Sequence, residues 1–358
     1  MSALGDQIKD LIRSEGPITV ERYMELALAH PELGYYMNRD PFGASGDFTT
    51  APEISQMFGE LIGLWAAEIW VAMGSPHPVR LIELGPGRGT LMSDALRAAR
   101  IVPEFRAALD VTLIETSPKL AEIQYVTLAH SGAPVAWQPT LAEAPEGPAI
   151  VIANEFLDAL PVRQYVMSGG RWRERTVRVD PAGELAFGVA REAELGIPPA
   201  GQEGDILEIN PSSHRLVYEL SARLARQGGA ALFVDYGHVF SGVADTLQAL
   251  KDHRPVNPLR EPGEADITAH VDFAAMARSA RAAGAAVFGP IEQGDFLAQL
   301  GLDTRVQALT ERSPDRAEEF DSARSRLAGK GEGEMGTLFK AMAICNLALP
   351  TPPGFEPR

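Results

Sequence analysis

The stretch Glu83-Leu84-Gly85-Pro86-Gly87-Arg88-Gly89 decides how this chain folds. An apolar run, Val79 to Leu84 interrupted by Arg80 and Glu83, leads into it, and a helix-like run leaves it near Thr90. A strand that ends in a glycine loop and opens a helix is a nucleotide-binding corner.

Outward from that corner the chain alternates apolar runs with helical segments. Val111-Thr112-Leu113-Ile114 ends at Glu115, and a helix follows with Pro118 in its first turn and Leu120, Ile123 and Val126 as its apolar positions. Further strands are expected at Pro134–Trp137, at Ala149–Ala153 ending in Asn154-Glu155, and at Ala230–Val234 ending in Asp235-Tyr236-Gly237. A last strand is expected between Leu338 and Asn346. Such alternation implies a parallel sheet with helices on both faces, a Rossmann-like α/β fold. Ligands of such sheets sit at the carboxyl ends of the strands, which is where Glu83, Glu115, Asn154, Glu155 and Asp235 fall.

The connection between the fourth and fifth strands is longer than one crossover needs. Gln164–Met167, a Ser-Gly-Gly turn and Arg171–Arg175 read as an inserted β-hairpin, with Asp205–Ile209 as a further strand. The expected organisation is an N-terminal helical and lid region over 1–75 and a core domain over 76–349. Insertions are placed at about 162–210, 238–272 and 295–330, and a proline-rich tail at 350–358. Upstream, Thr50-Ala51-Pro52-Glu53 has the form of a capping box with proline in the first turn. The helix after it carries Phe58, Leu61, Ile62, Trp65 and Ile69 on one face, a stripe expected to be core.

The glycine spacing selects the ligand. A dinucleotide loop has a third glycine where this chain has Thr90, and it serves a pyrophosphate at a helix N-terminus. A carboxylate at the strand end, Glu83, suits an ammonium instead, and Gly85, Gly87 and Gly89 let backbone approach a ligand without a Cβ between them. S-adenosylmethionine has an ammonium, a sulfonium, an adenosine and no phosphate, and is the cofactor these residues point to. Glu115, at the end of the second strand, stands where such folds place an acid against ribose hydroxyls. The competing reading makes it a helix-capping acid before Ser117-Pro118.

Composition narrows the function class. The chain has 358 residues, 45% apolar and 22% charged, with a formal charge of −16. That charge opposes binding to a phosphate backbone, so no nucleic-acid partner is expected. The single cysteine, Cys345, lies in an apolar run and reads as a buried thiol. The seven histidines show no metal-ligand spacing. The longest apolar helix candidate, Leu61–Met73, is too short to span a bilayer and contains Glu68, and no secretory signal heads the chain. A cytoplasmic protein without membrane insertion is the expectation. A homodimer is compatible with the chain.

Asn154-Glu155-Phe156-Leu157-Asp158 follows the fourth strand, where Glu155 and Asp158 are placed to hold a cationic acceptor and take up its proton. The bland alternative gives Asn154 and Asp158 to the cap of a following helix. Asp47, in the glycine- and aromatic-rich loop over 31–50, is placed to meet either the cofactor ammonium or the acceptor. His270 is expected to be structural.

These residues resemble the MidA family of S-adenosylmethionine-dependent methyltransferases. The matching segments are His30–Tyr36, Gly46–Ser55, the glycine loop, Asn154–Pro161, Asp235–Gly237 and Asp266–Phe273, in family order. The resemblance implies a seven-stranded methyltransferase core with inserted segments. It also implies protein arginine methylation, with a respiratory complex I subunit as the target of the mitochondrial members. On that reading Glu83, Gly85, Gly87, Gly89, Glu115 and Asn154 hold the cofactor, and Asp47, Asn154, Glu155 and Asp158 surround the acceptor. A guanidinium stays protonated in water, so carboxylates suit it. The alternative is a non-catalytic assembly factor or chaperone whose cofactor pocket is only structural.

Overall fold

The computed structural model describes residues 2–38, 49–194, 196 and 200–356. They form two compact units. The larger comprises 49–156, 216–239 and 271–356, and the smaller 2–38, 157–215 and 240–270 within the described residues.

The larger unit is built on one sheet whose seven long strands are β1 Val79–Leu84, β2 Leu109–Ile114, β3 Val135–Gln138, β4 Ala149–Asn154, β5 Gly229–His238, β6 Ala286–Glu292 and β7 Phe339–Cys345. Their spatial order is β3-β2-β1-β4-β5-β7-β6. Neighbours from β3 to β5 are parallel, and β7 alone runs against the rest. Strand order reverses between β1 and β4, and a doubly wound sheet opens its ligand crevice at that reversal. The central strands are nearly continuous apolar runs because both faces are covered. The Phe58-to-Ile69 stripe of helix Gln56–Ala72 is buried in this core as expected. The charged helical segment after β6 joins the same unit. Arg305 of helix Leu302–Arg312 donates from Nε to buried Glu60 Oε2 at 2.8 Å, and Arg97 reaches Oε1 of the same carboxylate at 3.0 Å.

Of these seven strands, β6 alone is not expected from the sequence. The run of β6 contains Gly289-Pro290, which breaks a strand pattern, and the register shifts between Phe288 and Ile291. It survives because β6 is the sheet's outer strand, where a missing ladder donor does no harm.

In the smaller unit, Arg163–Ser168 and Arg171–Val179 form the expected hairpin through Gly169-Gly170. Both glycines have positive φ, as the tight turn requires. Ile206–Ile209 pairs antiparallel with the first hairpin strand, and Leu185–Val189 and Ile18–Thr19 pair with the second. Helices Ala3–Glu15 and Val20–Ala29 bury Leu4, Ile8, Ile12, Tyr23, Met24 and Ala27 against this unit's core.

Candidate functional site

Each glycine of the loop after β1 has left-handed φ: +61° at Gly85, +53° at Gly87 and +80° at Gly89. Only glycine takes that conformation without cost. At Gly85 there is a second reason, and it is not the ligand. A Cβ there would lie 2.5 Å from Cδ2 of Phe156, whose ring fills the space. Phe156 is itself fixed from β5, since its amide donates to Asp235 Oδ2 at 3.1 Å, and Tyr236 N donates to Oδ1 at 2.9 Å. Asp235, which lies within β5, therefore supports the turn after β4.

Glu83 is buried, 3% exposed, and its Oε2 has no hydrogen-bond partner. Burial pushes its carboxyl up to about 8. On the adjacent strand, Asn154 has its Nδ2 committed to Glu155 Oε1 at 3.1 Å, while its buried Oδ1 has no partner. Buried acceptors are normally satisfied, so two bare ones at neighbouring strand ends call for a ligand rich in donors. An ammonium, with three N–H bonds and a positive charge, fits that requirement.

Glu115 ends β2. Its Oε1 accepts the Ser117 amide at 2.7 Å and its Oε2 accepts Gln124 Nε2 at 2.9 Å. Burial raises its carboxyl, and those bonds act in the opposite direction. The cap of the next helix, Pro118–Leu128, is Ser117, whose Oγ accepts Leu120 N at 3.4 Å. Each oxygen of Glu115 keeps a further lone pair for ligand hydroxyls. The inward positions of that helix are Leu120, Gln124 and Leu128, not the expected Leu120, Ile123 and Val126. Val126 is 73% exposed and Gln124 is 0% exposed. Gln124 escaped the sequence reading because an amide does not score as apolar. Its i, i+4, i+8 spacing with two leucines was the available signal.

The residues upstream of the sheet close one side of this site. The four-residue helix Ala51–Ile54 has Thr50 as N-cap, but Thr50 makes no side-chain cap bond, contrary to the capping-box expectation. Its first amide, Ala51 N, donates to Glu155 Oε1 at 3.0 Å. Glu53 does not reach back to the cap and instead accepts from Thr90 Oγ1 at 2.5 Å, with Arg88 3.7 Å away. The segment is thus tied to the β4 end and to the glycine loop.

The structure brings Glu83, Gly85, Gly87, Gly89, Glu115, Asn154 and Glu155 together in the larger unit. Glu155 is a non-glycine residue at φ +48°, a conformation that clusters at functional sites. No helix follows it, which removes the capping alternative for Asn154 and Asp158. Asp158 belongs to the smaller unit, where its Oδ1 accepts the Ala159 amide at 2.9 Å. Nearby in that unit, Tyr36 donates its hydroxyl to Asp266 at 2.7 Å. His270 is also in that unit, its amide donating to Thr246 Oγ1 at 2.9 Å. Asp47 lies outside the described residues.

The strand order, the bare acid at the β1 end and the left-handed loop suit a ligand that carries an ammonium and no phosphate. Residues 61–291 match a family model described as "Putative S-adenosyl-L-methionine-dependent methyltransferase". The chain belongs to this methyltransferase family. It is 38% identical to the protein arginine methyltransferase NDUFAF7 homolog of Drosophila melanogaster, over 96% of this chain and 84% of that one. It is 39% identical to protein arginine methyltransferase NDUFAF7 of Homo sapiens, over 84% of this chain and 74% of that one. Among solved structures it is similar to a COG1565 superfamily member from Burkholderia thailandensis bound to S-adenosyl-homocysteine. The TM-score is 0.86 at 28% identity, covering 98% of this chain and 94% of that chain. The family's cofactor, S-adenosylmethionine, is the ligand that the bare acceptors fit. Cys345 is a buried free thiol, and burial pushes it up to about 12. Among the described residues no cluster of ligating side chains suits a metal ion, and no helix is long and apolar enough to cross a membrane.

Proposed function

We infer that this chain transfers a methyl group from S-adenosylmethionine to an arginine side chain of a protein partner. The observation that carries the donor half is the pair of bare buried acceptors, Glu83 Oε2 and Asn154 Oδ1, on adjacent strands beside the left-handed loop. The acceptor half is supported by the names of the relatives. When bound, the cofactor supplies an electrophilic methyl on a sulfonium. Glu83 and Asn154 would hold its ammonium, and Glu115 its ribose hydroxyls. Glu155 is held at Oε1 by the Ala51 amide and the Asn154 amide, so its carboxylate is fixed in place before a substrate arrives. It orients the acceptor guanidinium, disperses its charge and takes up the proton released from the attacking nitrogen. Asp158 and Asp47 are assigned to the acceptor side on the family motifs alone. The resemblance to MidA proteins supports a respiratory complex I subunit as the partner.

Lysate incubated with labelled S-adenosylmethionine and this protein should yield a labelled protein whose mass spectrum places the methyl on arginine. Glu155→Gln keeps an oxygen for the Ala51 amide but removes the charge. It should abolish labelling and leave affinity for S-adenosylhomocysteine within about threefold, because the remaining oxygen still accepts the Ala51 and Asn154 amides. A parallel loss of affinity would transfer Glu155 to the cofactor side and sink this role.

A further inference from the structure

We propose that Gln124 is a positioning residue that sets the distance between the glycine loop and the ribose acid, and that it does so through a single amide group. The proposal rests on the donor site assigned above. Gln124 sits in mid-helix within Pro118–Leu128 and is fully buried. Its Nε2 donates to the carbonyl of Gly87 at 2.8 Å and to Glu115 Oε2 at 2.9 Å. Its Oε1 accepts from the indole Nε1 of Trp137 on β3 at 2.9 Å.

The chemistry requires this arrangement. A primary amide has two N–H donors and one acceptor oxygen, and here both donors and the oxygen are used. The Trp137 indole only donates, so it can face only the oxygen. A flipped amide would set that oxygen against the Gly87 carbonyl and the Glu115 carboxylate, acceptors both, and would aim its N–H groups at the indole. Trp137 thereby fixes which end of the amide faces the site. The helix lies close to the loop, since a Cβ on Gly89 would sit 3.5 Å from Gln124 Cα and Cγ.

The two acceptors that share the amide come from different elements. Gly87 belongs to the turn after β1, and Glu115 ends β2. Strand pairing fixes β1 against β2 as far as Leu84 and Ile114, with a last backbone bond from Gly85 N to the Ile114 carbonyl at 3.1 Å. Beyond that point the backbones diverge into separate loops, and the Gln124 amide is a direct side-chain bridge between them. A cofactor bound to the loop and to the acid at once would require their spacing to be set beforehand. One oxygen of Glu115 is anchored locally by Ser117, and the other depends on Gln124 for its orientation.

The prediction concerns binding and does not need turnover. By titration calorimetry, wild-type protein should bind S-adenosylhomocysteine much more tightly than its 2′-deoxy and 3′-deoxy ribose analogues. Gln124→Ala should weaken S-adenosylhomocysteine about 10- to 50-fold, as loss of a bond to a charged group does, while the deoxy analogues change less than about threefold. Glu115→Ala should give the same selective loss, and the double variant should be no worse than either single one. Trp137→Phe keeps an aromatic six-membered ring and removes the indole donor. It should reproduce the ribose-selective loss at about three- to fivefold, and it carries the test if Gln124→Ala does not fold. Equal weakening of all three ligands would reduce Gln124 to a packing residue and overturn the proposal, as would an unchanged affinity for S-adenosylhomocysteine. Failure of the wild-type protein to bind S-adenosylhomocysteine would instead overturn the donor site itself.

Discussion

Two carboxylates, half-buried Glu208 in the smaller unit and buried Glu83 in the larger, face opposite circumstances. Glu208 in the smaller unit is saturated. Its Oε1 accepts Gln164 Nε2 at 2.7 Å, Thr246 N at 3.1 Å and Leu247 N at 3.2 Å, and its Oε2 also accepts the Thr246 hydroxyl. Around it, Arg175 bridges Gln164 Oε1 and Asp245 Oδ1, each at 3.0 Å. Glu83 in the larger unit is at least as buried, and its Oε2 has nothing. Both carboxyls are raised by burial, yet only that of Glu208 is opposed by hydrogen bonds. A satisfied buried acid holds loops together. A bare one is destabilising until a ligand completes it, and that cost marks the site.

The comparison can be broken from either side. The largest effect should come from Glu208→Ala. It leaves several partly buried donors without an acceptor and should lower stability by about 2–4 kcal/mol in denaturant unfolding. Affinity for S-adenosylhomocysteine should be unchanged, and a matching loss of affinity would mean that the two carboxylates do not divide the work in this way.

Next in size is Glu83→Gln. It removes the charge that faces the ligand ammonium and should weaken S-adenosylhomocysteine about 10- to 100-fold by calorimetry, the worth of a charge-assisted bond. The ligand-free variant should melt at or above the wild type at pH 8.5, since no charge is then buried. A lower melting temperature there would show that Glu83 is satisfied in the free protein.

A smaller effect follows from pH. Glu83 and Glu115 are raised from 4.5, Glu83 to about 8, and Asp94 is raised from 3.8 to about 6. Between the unfolded and folded values the folded chain binds more protons than the unfolded one. Stability therefore falls as pH rises through that window, from about 4 to about 8. The melting temperature of ligand-free protein should be lower at pH 8.5 than at pH 5.5, and Glu83→Gln should flatten the upper part of the slope. Ligand binding at pH 7 should release protons, because an ammonium favours ionised Glu83. Calorimetry in buffers of different ionisation enthalpy reads this directly, and proton uptake would contradict it.

The smallest effect is expected at Gly89→Ala. A Cβ there meets only ordinary contacts at 3.5 Å, so the cost is that of left-handed backbone, about 1 kcal/mol. A loss several times larger would mean that the loop's shape and not its φ requires the glycine.

Much of the larger unit was legible because its signals are local. Parallel strands buried on both faces are apolar runs, and β1, β2, β4 and β5 all appear as such within a residue or two of where they lie, apart from the longer carboxyl end of β5. The glycine loop was legible because left-handed backbone leaves a mark in residue type. β6 was not, since its Gly289-Pro290 reads as a break and only the outer position in the sheet tolerates it. The capping box at Thr50 failed for a related reason. Its side-chain pattern was correct, but Thr90, distant in sequence, took the Glu53 carboxylate that a local cap would have used, and the Glu53 amide bonds the Thr50 carbonyl.

The sequence by itself determined the parallel strands of the sheet, the glycine loop, the acids that follow those strands and the family, because periodicity, turn chemistry and motif spacing are written along the chain. Tertiary structure decided which acids are bare and which are spent. It left Glu83 and the Asn154 oxygen unpaired, gave Asp235 to the Phe156 amide, fixed Glu155 with the Ala51 amide, and turned Gln124 into the link between loop and acid. The physical reason is that hydrogen-bond satisfaction is a property of neighbours in space. A carboxylate reads the same in a sequence whether it meets four donors or none.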